Sequence, residues 1–185
     1  MFAKKGLLKE HEAIFIMMNP STADLKFSDH TTNMVTMCDC YDKVTLFNVF
    51  PYRGQPKELC GFTKSSNYET TVKKNITVVT RYIKQHPNVD VVFATGDLMK
   101  ATQPHRLKAE KDKKSKTSNS IRQCMFITYN STCEACTRGN VKKLVNCGEE
   151  SMNNWGRHPS KNPYDIISAE LNLNREKGNQ KFDVV

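Results

Sequence analysis

Apolar positions fall into a few short continuous runs, separated by stretches with helical spacing. Residues 13–18 (AIFIMM) are apolar throughout and are cut off by Asn19-Pro20, which predicts a strand buried on both faces that ends in a loop. Residues 43–50 (KVTLFNVF) are β-branched and aromatic and predict a second strand, stopped by Pro51. Over residues 67–85, Val72, Ile76, Val79 and Ile83 recur at the spacing of one helical face. Residues 89–95 (VDVVFAT) predict a third buried strand closed by Gly96, with a helix able to open at Asp97. Residues 141–147 predict a fourth, followed by Gly148. Residues 165–174 read as a closing helix carrying Ile166, Ile167, Ala169, Leu171 and Leu173, and the polar tail from Arg175 is expected to fray.

Strands alternating with helices predict an α/β chain of three layers, with a central, mostly parallel, four-stranded sheet flanked by helices. At 185 residues this is a single domain over 1–185. Open sheets of this kind bind ligands beyond the carboxyl ends of their strands. That rule selects residues 19–24, 48–53, 96–97 and the loop after Cys147, where polar residues abruptly follow apolar runs.

Composition narrows the class. With 38% hydrophobic and 25% charged residues the chain can build a core, which argues against wholesale disorder. No apolar stretch approaches the roughly 18 residues of a membrane span. The basic, then apolar, start of the chain lacks a small-residue cleavage site, so a cytoplasmic location is expected, in a bacterium or a phage-infected host. The net charge of +9 points to a polyanionic partner, DNA or RNA, with an acidic protein surface as the other reading. Most of it is local. Residues 100–122 carry 8 basic and 2 acidic side chains, whereas residues 1–99 carry 12 and 10. Pro104 and the polar run 111–118 argue against one continuous helix there. The segment reads either as a solvated lysine loop or as an arm that follows a nucleic-acid backbone through Lys108, Lys111, Lys113, Lys114 and Lys116.

Seven cysteines are an odd number for a disulfide framework, so reduced thiols are expected. Cys133 and Cys136 form a CxxC pair that supplies two zinc ligands if Cys124, Cys147 or His158 completes a set, but no second pair at zinc spacing exists. Asp24 and Asp29 do not fall into a metal-nuclease pattern, so neither a metal nor a cofactor is expected.

Four segments in order, FIMMNPSTAD (15–24), LFNVFPYR (46–53), VFATGD (92–97) and GRHPSKNPY (156–164), resemble the bacterial and phage family called domain of unknown function 1643. The resemblance leaves out a basic, inserted or diverged segment at about 100–140. More distantly, the same segments are similar to the uracil-DNA glycosylase superfamily, which implies a uracil-DNA-glycosylase-like fold. By that resemblance Asn19 holds the attacking water and His158 stabilises the negative charge developing on the leaving base. Asn48 reads the edge of a flipped base, and Pro20, Ser21, Asp24, Arg53 and Ser160 line the substrate. Phe27 or Phe50 stacks on the base. The implied chemistry needs those groups: an oxocarbenium-like sugar requires an oriented water, a donor to the anionic base and shape-selective hydrogen bonds. An amide at position 19 orients water but is a poor general base. The His-Pro-Ser loop continues as Lys161-Asn162-Pro163-Tyr164, without an apolar wedge; Met152, Trp155 and Tyr164 are the nearby substitutes.

Each motif also has a plainer reading. Asn19-Pro20-Ser21-Thr22 suits a turn or a helix cap, Asn48 a strand cap, and His158 an ordinary loop histidine. Two kinds of function follow. One is hydrolysis of an N-glycosidic bond to a nucleobase. The alternative is a nucleic-acid-binding or metal-independent RNA-cleaving protein, such as an anti-CRISPR-like counter-defence factor of a phage or mobile element.

Overall fold

Strand β1 (Glu12–Met17) is buried at every position after Glu12, because it lies inside the sheet with a layer on either side. The computed structural model describes residues 11–20, 30–37, 40–54, 58–96, 111–136, 140–146, 156, 158–159 and 164–168; at 60, 111–119, 122, 143–146 and 164–168 it describes the backbone only. Around β1 are α1 (His30–Thr36), β2 (Lys43–Asn48), α2 (Leu59–Phe62), α3 (Tyr68–Gln85), β3 (Asp90–Phe93), α4 (Lys111–Ala135), β4 (Val141–Asn146) and β5 (Tyr164–Ser168).

The sheet runs β2-β1-β3-β4-β5. The first four strands are mutually parallel, as the alternating pattern predicts. Strand pleating sends alternate β1 residues to opposite layers. Ile14 and Ile16 join Val91 and Phe93 against Val72, Val79 and Ile83 of α3 and Ile121 and Met125 of α4. Ala13, Phe15 and Met17 pack with Val92, Ala94 and Val35 of α1 on the other face. The three layers are thus α3 and α4, the sheet, and α1. At the amino edge the strands are tied by charge: Lys43 bridges Glu12 at 3.0 Å, Lys142 bridges Asp90 at 2.9 Å, and the Tyr41 hydroxyl donates to Asp90.

Two sequence expectations are corrected. Residues 165–168 belong to a strand rather than a helix: β5 pairs antiparallel with β4, from Asn146 opposite Tyr164 to Lys142 opposite Ser168. Without β5, β4 would present an unpaired edge. The rest of that predicted helix lies outside the described residues.

From Lys111 the lysine-rich segment is helical rather than a loop, and its residues 100–110 lie outside the described residues. Lys111 opens α4, which continues unbroken to Ala135, and Pro104 falls before it. Ser and Lys at these positions are compatible with a helix whose other end is anchored, because packing from Ile121 to Cys133 overrides the weak local preference.

Candidate functional site at the carboxyl edge of the sheet

The strand order reverses direction at β1. From β1 the chain steps to β2 on one side, then crosses back to β3 on the other. The carboxyl ends of β1 and β3 therefore form the topological switch point, where sheets of this type leave a crevice. Ile16 lies opposite Phe93, and the pairing continues with Ala94 N–H donating to the Ile16 carbonyl. Asn19 and Gly96 each lie three residues beyond that pair in sequence, in the loops that leave the two neighbouring strand ends.

Asn19 is half-buried and its amide is held by backbone. Its Nδ2 donates to the Gly54 carbonyl and, at 3.3 Å, to that of Pro20. Gly54 N–H returns a bond to the Pro20 carbonyl at 3.1 Å, so the β1 and β2 loops are clasped together. With Nδ2 committed to carbonyls, the other end of the amide, Oδ1, is an acceptor by elimination. Gly54 has φ +142°, and a Cβ there would lie 2.7 Å from Glu58 Oε2. The Glu58 carboxylate can swing aside, so it is the positive φ that makes glycine the favoured residue at the clasp.

His158 meets the other strand end. A Cβ on Gly96 would sit 3.1 Å from the His158 Cβ, and Gly96 has φ +77°. The glycine closing the third strand therefore gives the His-Pro loop room to seat against the sheet. His158 is half-buried and Pro159 buried.

Asn48 ends β2 opposite Met17 and is half-buried. Its carbonyl, and that of Val49, accept bonds of 2.8 and 3.1 Å from Asn75 Nδ2 on α3. The strand end is thus capped by a residue that the motifs do not contain. Its signal in the sequence is an amide between Val72, Ile76 and Val79 on the buried helical face. Beyond it, Tyr52 stacks on Phe62 with ring centroids 5.3 Å apart, and Phe62 meets Tyr68 edge-on at 5.1 Å.

Other expected site residues part company. Phe50 is fully buried in the core, so it cannot stack on a base. Pro20 is half-buried and contributes its carbonyl to the clasp, and Arg53 is exposed beside Gly54. Ser21, Asp24, Phe27, Ser160 and Lys108 lie outside the described residues, and Lys111, Lys113, Lys114 and Lys116 are described as helical backbone only.

The position of that backbone is informative. The Tyr68 hydroxyl at the start of α3 donates to the Ser120 carbonyl of α4 at 3.1 Å, whereas Asn140, just after α4, bonds Val91 and Pro87 at the amino edge. Helix α4 therefore descends from the carboxyl edge to the amino edge. Among the described side chains of α4, the first buried one is Ile121. The helical residues before Ile121 extend about 15 Å past that level at ordinary helical rise. Residues 111–120 of the lysine-rich segment are a helical spur on the same edge of the sheet as Asn19, Asn48 and His158.

The zinc option does not survive this geometry for two of its donors. Cys133 and Cys136 end α4 near the amino edge, while His158 sits at the carboxyl edge. Cys124 is nine residues from Cys133 along one helix, about 13 Å of rise, too far to share an ion. Burial pushes the thiols of Cys124 and Cys136 up to about 12, with neighbouring Cys133 adding to the effect at Cys136. Cys147 lies outside the described residues. Among the described residues no group of three or more metal-ligating side chains converges.

A family model described as Protein of unknown function (DUF1643) matches residues 3–159. That range takes in the first three motifs and the fourth as far as His158-Pro159. No curated protein and no solved structure matches the chain.

Proposed function

The chain belongs to that family, and on this premise we propose that it acts on nucleic acid, hydrolysing the N-glycosidic bond of a base held at the carboxyl edge of the sheet. The observation that carries this reading is that Asn19 and Gly96 follow the adjacent ends of β1 and β3 at the switch point, with His158 seated on Gly96. One strand end presents an amide acceptor and the next supports an imidazole.

The division of labour follows from those groups. Asn19 Oδ1 accepts a hydrogen from a water and orients its lone pair toward C1′ of the sugar. The C1′–N bond breaks with its electron pair leaving on the base, and the water oxygen bonds to C1′. A ring N–H of His158 donates to the base as its negative charge grows, which favours the transition state over the neutral substrate. An amide takes up no proton, so the proton released by the water passes to solvent or to the departing base. Such a site works where the oxocarbenium character is high and little general-base help is needed. Asn48 at the end of β2 supplies the amide for reading a base edge.

Oligonucleotides of DNA and RNA containing uracil, hypoxanthine or other modified bases, incubated with the protein and then treated with alkali, test this. Strand breaks at the modified position are expected for the wild type, with Asn19→Ala and His158→Ala at least a hundredfold slower while retaining native circular dichroism. Unchanged product from both folded variants would remove the assigned roles, and no product from any substrate would remove the reaction.

The position of the lysine spur favours a second reading, nucleic-acid binding without chemistry. Binding would then persist in Asn19→Ala and weaken when Lys111, Lys113, Lys114 and Lys116 are neutralised.

A further inference from the structure

Outside the carboxyl edge, the most strongly charged feature among the described residues is the outer face of α3. Val72, Val79 and Ile83 turn this helix onto the core. The opposite face carries a shallow groove of about 460 Å³ lined by Thr70, Lys73, Lys74, Thr77, Val78 and Arg81. All six are exposed. Among the described residues none of the three cations makes an ion pair, and the acidic residue of α3 is Glu69 in its first turn.

We propose that this groove is a second nucleic-acid contact, a track for the phosphate backbone that is separate from the pocket and from the lysine spur of α4. Lys73, Lys74 and Arg81 stand along one face over about 12 Å of helical rise, a length that spans several phosphates of one strand. Thr77 Oγ1 donates to the Lys73 carbonyl at 2.9 Å, so its hydroxyl hydrogen is spent within the helix. Recognition therefore falls to the three cations, which read charge without sequence. Val78 is the one apolar side chain named in the lining, too little for the face of a membrane-bound amphipathic helix. No exposed aromatic side chain lines the groove, so it fits a backbone rather than unstacked bases. Helices α3 and α4 pack on the same face of the sheet, so a strand reaching the spur has this groove in the same layer. The proposal takes from the functional reading only that the polyanion is a nucleic acid; it does not require the pocket to be active.

The test is fluorescence anisotropy with labelled single-stranded DNA, the matching RNA and a DNA duplex, each across a salt series. Four proteins are compared: wild type, Lys73→Gln/Lys74→Gln/Arg81→Gln, a variant with Lys111, Lys113, Lys114 and Lys116 changed to Gln, and Asn19→Ala. The α3 variant is expected to bind roughly tenfold or more weakly near 0.1 M salt, and its log K against log salt slope on a single strand should be shallower by about 2. Loss on DNA, RNA or both supports the track and identifies its ligand. Affinity and slope equal to wild type on all three probes would overturn it, as would a loss of labelled polyglutamate binding with nucleic-acid binding intact. The residues are exposed, so the thermal midpoint of the α3 variant should match wild type. If that midpoint drops, the single changes Lys73→Gln and Arg81→Gln are read instead, with the same expected direction. Base release by wild type and Asn19→Ala is scored separately, so failure of the glycosidic reaction leaves this result distinguishable.

Discussion

The Cβ of His158 lies where a side chain on Gly96 would have to go, 3.1 Å from its would-be Cβ. The third strand and the His-Pro loop are therefore joined through the absence of an atom. Gly96→Ala adds a methyl into that contact and forces φ +77° on a residue that disfavours it. A loss of about 1–3 kcal/mol in denaturant unfolding is expected. Base release or pocket binding should fall further than the stability loss accounts for, because His158 is displaced. A stability equal to wild type would mean that the loop is not seated on this glycine.

The Asn19 amide separates two kinds of site that look alike in a motif. Under the proposed glycosidic reading a carboxylate at position 19 would be a stronger base than an amide, so Asn19→Asp is the obvious gain-of-function change. Here the Nδ2 it would lose donates to the carbonyls of Gly54 and Pro20. A carboxylate would put an oxygen against two carbonyl oxygens. Asn19→Asp is expected to be destabilised by about 1–3 kcal/mol at neutral pH, part of it recovered as the pH falls and the carboxylate protonates. Chemical denaturation at pH 7.5 and pH 4.5 checks the sign.

The thiols give a test that does not depend on function. Cys124 is buried and Cys136 partly so, and both are held protonated by burial, whereas Cys40 is exposed. Thiolate is the reacting form, so maleimide labelling of native protein at pH 7.5, mapped by mass spectrometry, should modify Cys40 ahead of Cys124 and Cys136. Cys124 and Cys136 should label only on unfolding. Labelling of Cys124 as fast as Cys40 would contradict the packing of α4 on Tyr68.

Acid stability should depend on the amino edge. Burial pushes the Glu12 carboxyl up, but Lys43, by hydrogen bond and charge, the Tyr82 hydroxyl and the nearby His86 together outweigh it and leave the carboxyl below its ordinary value. A carboxyl lowered in the folded state contributes stability above its unfolded value, near about 4.3, and that contribution is lost as pH falls through the folded value. Glu12→Gln should therefore be less stable than wild type at pH 7, with the difference shrinking below about pH 4. A difference that stays constant down to pH 3 would exclude this linkage.

The parallel core was legible because β1 and β3 are buried on both faces, and burial on both faces writes an unbroken apolar run. Helix α3 was legible because one face is buried and the other is not. The strand-end motifs were legible as abrupt changes from apolar to polar. Strand β5 was misread because five residues are too few to show a period, and only pairing with the edge of β4 decides their conformation. Helix α4 was misread at its start because a run of Lys and Ser has little helical preference of its own, and the anchor lies ten residues further on.

By itself the sequence determined the layer order of apolar and polar segments, the glycines that close the strands and the clustering of positive charge in one segment. Periodicity and conformational freedom are local, so they survive in the unfolded chain. Tertiary structure alone decided that the loops of Asn19 and Gly96 leave neighbouring strand ends, that Asn75 caps the Asn48 end of β2, and that residues 111–120 are helical at that same edge. Such relations join residues distant in the chain, as the seating of His158 on Gly96 does across 62 positions, and they exist only once strand order and register have been set by packing.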